Sequence, residues 1–186
     1  MKLVLAATGA SGAIYLQRLL DLLDPKDHEI HLVFSTYSRQ VINEELGGEL
    51  LVASGIHQHN DKTMNVPFVS GSAQFDAMVV VPCSMGTLGR IAAGTSETTI
   101  LRAADVFLKE RRKLILVPRE TPLSAVHLEN MLRLTRAGAI VMPAAPGFYH
   151  RPKSIDDLVN FVVARVLDHL GVRHSLVARW NSGTDE

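Results

Sequence analysis

The sequence predicts a doubly wound α/β domain, a parallel sheet flanked by helices in three αβα layers. Three observations predict it. Short apolar runs of strand length recur along the chain, and segments of helical periodicity separate them. Most runs also end in a loop rich in glycine, serine, threonine or proline. Parallel strands joined by crossover helices are covered on both faces, so they read as continuous apolar runs rather than alternating ones.

Each element follows from local pattern. Lys2–Ala7 is an apolar run and the first strand; Ala13, Leu16, Leu19, Leu20 and Leu23 then fall at helical spacing, and Pro25 ends that helix. Glu29–Ser35 reads as the second strand, followed by a helix through Val41 and Leu46. Residues 47–74 are the least regular part, punctuated by Gly47-Gly48, Ser54-Gly55 and Ser70-Gly71. Asp76–Val81 is the third strand, Thr98–Lys109 a helix, Lys113–Val117 the fourth strand, and Ser124–Ala137 a helix. Ala139–Met142 is a short last strand. Ser154, with Asp157 three residues on, caps a final helix whose buried side is lined by Ile155, Leu158, Val159, Val162, Val163 and Val166.

Composition narrows the function. The 186 residues suffice for one domain with a sizeable core. Lys and Arg together number 19, as do Asp and Glu, so no global field draws the chain to nucleic acid or an anionic membrane. A single cysteine, Cys83, excludes an intrachain disulfide and any zinc-type cysteine spacing, and reads as a small packing residue. No apolar run reaches the roughly 18 residues of a membrane span, and the N-terminus lacks a secretion-signal layout, so a cytoplasmic protein is expected. The 47% hydrophobic content favours burial against copies of itself.

In such folds ligands bind beyond the carboxyl ends of the strands. The loops there are Thr8-Gly9-Ala10-Ser11-Gly12, Ser35-Thr36, Pro82-Cys83-Ser84-Met85-Gly86-Thr87, Pro118-Arg119-Glu120-Thr121-Pro122 and residues 143–151. Small hydroxyl residues and glycines let backbone N–H groups approach an anion at a helix N-terminus, which suits a phosphorylated ligand. The first loop has the wrong glycine spacing for a dinucleotide fingerprint and is not a nucleophile elbow, because Gly12 directly follows Ser11. A seat for one phosphate or a flavin edge remains, beside the plainer reading that Ser11 caps the first helix.

Arg102 and Lys109 share a helix face about 10 Å apart, as a ligand site or a solvated basic face. Arg119 and Glu120 stand directly after a buried strand, where a charged pair points to function. Tyr149, Arg151 and Arg165 add donors for a second anion, although Arg165 reads equally as a surface residue. His57, His59 and Asp61 read as a solvated loop rather than a metal site.

Taken together, TGASGA, Ser35, VSGS at 69–72, VPCSMGTL at 81–88, RAADVFLKERRKL at 102–114, VPRETPL at 117–123, HLENM at 127–131 and PAAPGFYHRP at 143–152 resemble the UbiX/Pad-type flavin prenyltransferases, from Leu3 to Trp180. The resemblance implies a Rossmann-like flavoprotein that joins the dimethylallyl group of dimethylallyl phosphate to N5 and C6 of reduced FMN, without a metal. Prenylated FMN would then serve UbiD-type decarboxylases, as in ubiquinone biosynthesis. It implies FMN contacts from Gly9, Ala10, Ser11, Ser35, Ser84, Met85, Gly86, Thr87 and Arg119. Arg102, Lys109, Arg119, Glu120, Tyr149 and Arg165 would hold the prenyl phosphate, partly from a neighbouring subunit, and Trp180 would enclose the prenyl group. Ser11, Glu45 and Glu120 are the implied catalytic residues, Glu45 assisting proton movement and Glu120 protonating the leaving oxygen. The implied assembly is a homododecamer, with residues 171–186 packing on a neighbour.

One departure is the segment His59–Val66, which lacks a tryptophan that some relatives carry. The alternatives are an FMN-dependent decarboxylase of the peptidyl-cysteine type, whose PASANT motif is replaced here by PCSMGT, a non-catalytic flavin-binding subunit, and a nicotinamide-dependent oxidoreductase.

Overall fold

In the computed structural model, which describes residues 1–177, the chain divides into two compact units, Met1–Ala144 and Ala145–Glu186. The first holds β1 (Lys2–Ala7), α1 (Ala13–Leu22), β2 (Glu29–Phe34), α2 (Ser38–Leu46), β3 (His57–Asn60), β4 (Ala77–Cys83), α3 (Met85–Ala93), α4 (Thr99–Lys109), β5 (Lys113–Pro118), α5 (Ala125–Arg136) and β6 (Ile140–Val141). The strands form one sheet in the order β3-β2-β1-β4-β5-β6, and every pairing is parallel. The doubly wound expectation is therefore met.

Strand alternation divides the core. Val4, Ala6, Met78, Val80, Leu114 and Leu116 join Leu88, Ile91, Ile100, Ala104 and Phe107 of α3 and α4 in one buried cluster. Leu3, Leu5, Val79 and Ile115, on the opposite side of the same strands, are also fully buried, as are Leu16 and Leu19 of α1. Burying a single such side chain stabilises the fold by about 1.5–3 kcal/mol.

Three elements differ from the sequence expectation. Residues 47–74 contain a real strand, β3, whose sequence HQHN carries none of the β-branched signal of an inner strand. The segment after Ser84 is a helix, α3, capped by the Ser84 side chain; its glycines masked the period. β4 runs through Pro82, where the expectation stopped at Val81, and its register against β5 is irregular between Val80 and Cys83.

In the second unit, α6 (Ile155–Leu170) begins with the expected capping box. Ser154 Oγ accepts from Asp157 N at 3.2 Å, and Ser154 N donates to Asp157 Oδ2 at 3.1 Å. Val159, Val162, Val163 and Val166 are buried as expected, but Ile155 is 70% exposed, because the first turn precedes the buried stripe. Among the described residues no helix is long and apolar enough to cross a membrane.

His57 and His59 stand on β3 rather than in a solvated loop, against His31 of β2. His31 and His59 have rings 4° from parallel with centroids 5.1 Å apart, and Nδ1 of one lies 2.9 Å from Nε2 of the other. Two ring radii plus that contact make up the centroid separation, so the imidazoles lie end to end in one plane. Phe68 and Phe75 close over His31 edge-on, and His57 stacks on it at 4.8 Å. Glu29, paired with Lys2 at 2.9 Å, lies 3.2 Å from His31 Nε2. Burial, with the charges of His57 and Lys2, lowers the His31 pKa against the pull of Glu29; burial, then the charges of His31 and His57, lowers that of His59.

Stability follows with a definite sign. The unfolded chain takes up these protons first, near pH 6.5, so the contribution is complete above about pH 6.5 and is lost as pH falls toward the lowered native values. Urea unfolding at about pH 7.5 and about pH 5.5 should show a lower midpoint at the acid value. His59→Gln, which keeps a donor for His31, should flatten that difference; an unchanged difference would contradict the assignment.

Candidate active site

The strand order reverses between β1 and β4, and in an open parallel sheet the crevice at that switch point receives the ligand. The loops after β1 and β4 meet there. Thr8, 1% exposed, ties them: its Oγ1 donates to Pro82 O at 2.8 Å and accepts from Ser84 N at 2.7 Å.

Two glycines shape the β1 loop. A Cβ on Gly9 would lie 2.9 Å from Tyr37 Cβ, so the loop can approach α2 only without a side chain there. Gly12 has φ +118°, and a Cβ on it would meet the Tyr15 ring at 2.9 Å. Ala10 is buried and Ser11 exposed between them.

The N-terminus of α1 is not capped by Ser11. Gly12 occupies the cap position without a side-chain bond, and Glu45 reaches across from α2 to take the free donors. Glu45 Oε2 accepts from Gly12 N at 2.9 Å and from Ala13 N at 2.7 Å. A carboxylate here also meets the positive end of the helix dipole. Burial pushes the Glu45 pKa up, but hydrogen bonds from Ser11, Gly12 and Ala13 and the charge of Arg119 outweigh it, so the carboxyl lies below its ordinary value. Arg119, on the loop after β5, donates from Nε to Ser11 O at 3.3 Å. Ser11, Glu45 and Arg119 thus come together from three separate loops and helices.

At α3 the donors are disposed differently. Ser84 Oγ accepts from Thr87 N at 3.3 Å and donates to Thr87 Oγ1 at 3.0 Å, while Ser84 O accepts from Leu88 N. That leaves the N–H groups of Met85 and Gly86 as the open donors of the first turn, facing the carboxyl edge. Beyond Gly86 a Cβ would meet nothing within 4 Å. Half-buried Ser35 directly follows β2, which ends one residue earlier than expected, and its N–H bonds to Ala7 O at 3.0 Å. Glu120 is exposed and accepts from Thr121 N at 3.0 Å. Burial pushes the Cys83 thiol up to about 12, which fits a packing role and removes it as a nucleophile near neutral pH.

Arg102 and Lys109 lie elsewhere. Arg102 donates to Val69 O at 3.2 Å and pairs with Asp105 at 2.8 Å; Lys109 pairs with Glu110. The last turn of α4 leads directly into Lys113, where β5 begins, so Lys109 sits at the amino edge of the sheet. The six residues of β5 separate it from Arg119 by roughly 17 Å along the strand. In the second unit Tyr149 is 88% exposed, and Arg165 pairs with Asp168 at 2.9 Å. Trp180 lies outside the described residues. Among the described residues no cluster of three or more His, Cys, Asp or Glu could hold a metal.

Thr8 was missed by reading motifs alone. The available signal was Pro82, because a proline near the end of a central strand removes a ladder donor and marks a place where the pairing becomes irregular. Glu45 had no signal in spacing, since its contact spans 33 residues.

The Flavoprotein family model matches residues 1–167. The flavin prenyltransferase UbiX of Methanocaldococcus jannaschii is 49% identical over 185 residues, covering 98% of this chain and 100% of that protein. The fold superposes with a TM-score of 0.90 on AnUbiX (PadA1) in complex with FMN and dimethylallyl pyrophosphate, at 42% identity and covering 98% of both chains. A dodecameric FMN-dependent UbiX-like decarboxylase from Escherichia coli O157:H7 gives the same TM-score of 0.90 at 44% identity, covering 98% of this chain and 100% of that one.

Removing the carboxylate that caps α1 should be measurable. Glu45→Ala should lower stability by about 1 kcal/mol, the modest figure reflecting an exposed group that water partly replaces. Glu45→Gln should lose roughly half as much, since it keeps an acceptor but not the charge. Urea unfolding of both variants checks this, and wild-type midpoints in both would mean that Glu45 does not cap the helix.

Proposed function

This chain belongs to the Flavoprotein family, and on that footing we propose that it is a flavin prenyltransferase. It joins the dimethylallyl group of dimethylallyl phosphate to N5 and C6 of reduced FMN. The observation that carries the reading is the meeting of Ser11, Glu45 and Arg119 beside the open first turn of α3. These residues fit FMN: two donors stand free at α3, and the loop before Ser11 comes close to α2 because Gly9 has no side chain.

Gly9, Ala10, Ser11, Ser35, Ser84, Met85, Gly86, Thr87 and Arg119 hold the flavin. When bound and reduced, FMN supplies the electron-rich centre that takes the prenyl group. Glu45, ionised near neutral pH, is a base, and Ser11 Oγ, hydrogen-bonded to it, is placed to pass it a proton. On the donor side the C–O bond breaks and negative charge gathers on the departing phosphate. Arg119 and further cationic donors stabilise that charge without a metal, and Glu120 gives a proton to the leaving oxygen.

Arg102, Lys109, Tyr149 and Arg165 are the further phosphate donors, with Trp180 closing the prenyl side. Lys109 stands at the far edge of the sheet from Arg119, so it serves the site of another copy. Exposed apolar side chains support association: Val126, Leu128 and Leu132 on α5, and Phe148 and Tyr149 in the second unit, are all at least half exposed. The assembly is a dodecamer, and the product serves UbiD-type decarboxylases.

The protein, mixed anaerobically with reduced FMN and dimethylallyl phosphate, should yield a flavin heavier by one dimethylallyl unit in mass spectrometry. Dimethylallyl pyrophosphate in a parallel reaction tests the leaving group. An unmodified flavin in both, on folded and FMN-loaded protein, would refute the reading. Shared sites carry a second expectation. Ser11→Ala and Lys109→Ala oligomers, each impaired alone, should regain activity when dissociated and reassembled together; no recovery in verified mixed oligomers would place both residues in one copy's site.

A further inference from the structure

Pro82 stands inside the central strand of the sheet, where a ladder N–H is required and proline has none. The β1–β4 pairing stops at Ala6↔Val80, and the β4–β5 register breaks between Val80 and Cys83. Past that point a side chain reinforces the main-chain contact between the two strand ends. Thr8 N donates to Pro82 O at 3.2 Å, Thr8 Oγ1 donates to the same carbonyl at 2.8 Å, and Ser84 N donates to Thr8 Oγ1 at 2.7 Å. The hydroxyl uses its one proton and a lone pair at once. A methyl can do neither, and a thiol does both weakly.

We propose that Thr8 is a positioning residue for the flavin, and that it sets the distance between the Gly9–Ser11 loop and the first turn of α3. The inference rests on the flavin-binding reading above. Ser84, held by Thr8, orients Thr87 through both its backbone and its hydroxyl, and with them the free N–H groups of Met85 and Gly86. Thr8 itself is 1% exposed, enclosed beneath the two loops it joins. Its effect passes through the two loops it joins, so losing the hydroxyl leaves each loop intact while their separation is no longer fixed. Binding that needs both loops at once is then weakened through lost preorganisation.

The test is a graded series at this one position: Thr8→Ser, Thr8→Cys and Thr8→Val. Each is purified as the full-length oligomer, and FMN is titrated by quenching of flavin fluorescence at a temperature where circular dichroism shows the variant folded. Thr8→Ser should bind FMN within about twofold of wild type, and Thr8→Val should raise the Kd about tenfold or more, the equivalent of one unsatisfied buried polar group. Thr8→Cys should fall between them, and it carries the test if the valine variant does not fold. A merely structural threonine would lower the melting temperature along the series and leave the FMN Kd of the folded protein unchanged, and that result would overturn the proposal. If wild-type protein fails to bind FMN, the flavin reading itself fails.

Discussion

A proline near the carboxyl end of the central strand β4 removes a donor from the ladder, and the carboxyl edge of this sheet is organised around it. The ladder between β1 and β4 ends at Val80, and the next turn of chain must still leave the sheet as a capped helix. One buried hydroxyl bridges that gap. Because it accepts from Ser84, the cap of α3 and the end of β1 are a single hydrogen-bonded unit. The irregular strand and the ligand crevice are therefore one feature.

The two helices that start at this edge are electrostatically unlike. α1 has its positive end neutralised from within the chain by Glu45, whereas α3 keeps two donors open. An anionic group arriving at the crevice thus finds one helix already satisfied and the other receptive. The same carboxylate that closes α1 stands beside Ser11 and within the field of Arg119. That placement holds the carboxyl below its ordinary value and keeps it ionised near neutral pH. The atoms that close the start of α1 also face Ser11, so substitutions at Glu45 act on the helix and on the loop before it.

Much of this was legible in the sequence where burial dictates composition. β1 was read with its bounds intact because an inner parallel strand must be apolar on both faces, and α6 because Ser154 and Asp157 form a capping box by local spacing alone. β3 was not legible: an edge strand of histidines and amides has no apolar period. α3 was hidden by glycines that lower helix propensity but leave the chain close to the crevice. The plainer reading of Ser11 as the cap of α1 does not hold because the true acceptor, Glu45, comes from another helix, and no local pattern encodes such a contact. Lys109 was correctly placed on a helix, but its distance from Arg119 emerges only from the direction in which α4 runs.

The sheet's two margins have a further consequence. On one side it ends in four polar residues, His57–Asn60, and on the other in two, Ile140–Val141. Neither margin offers the long apolar backbone that recruits a strand from another chain. Pairing of copies through shared β-ladders is therefore disfavoured. The same short margins leave the chain poorly suited to templating the open-ended stacks that exposed apolar strands promote.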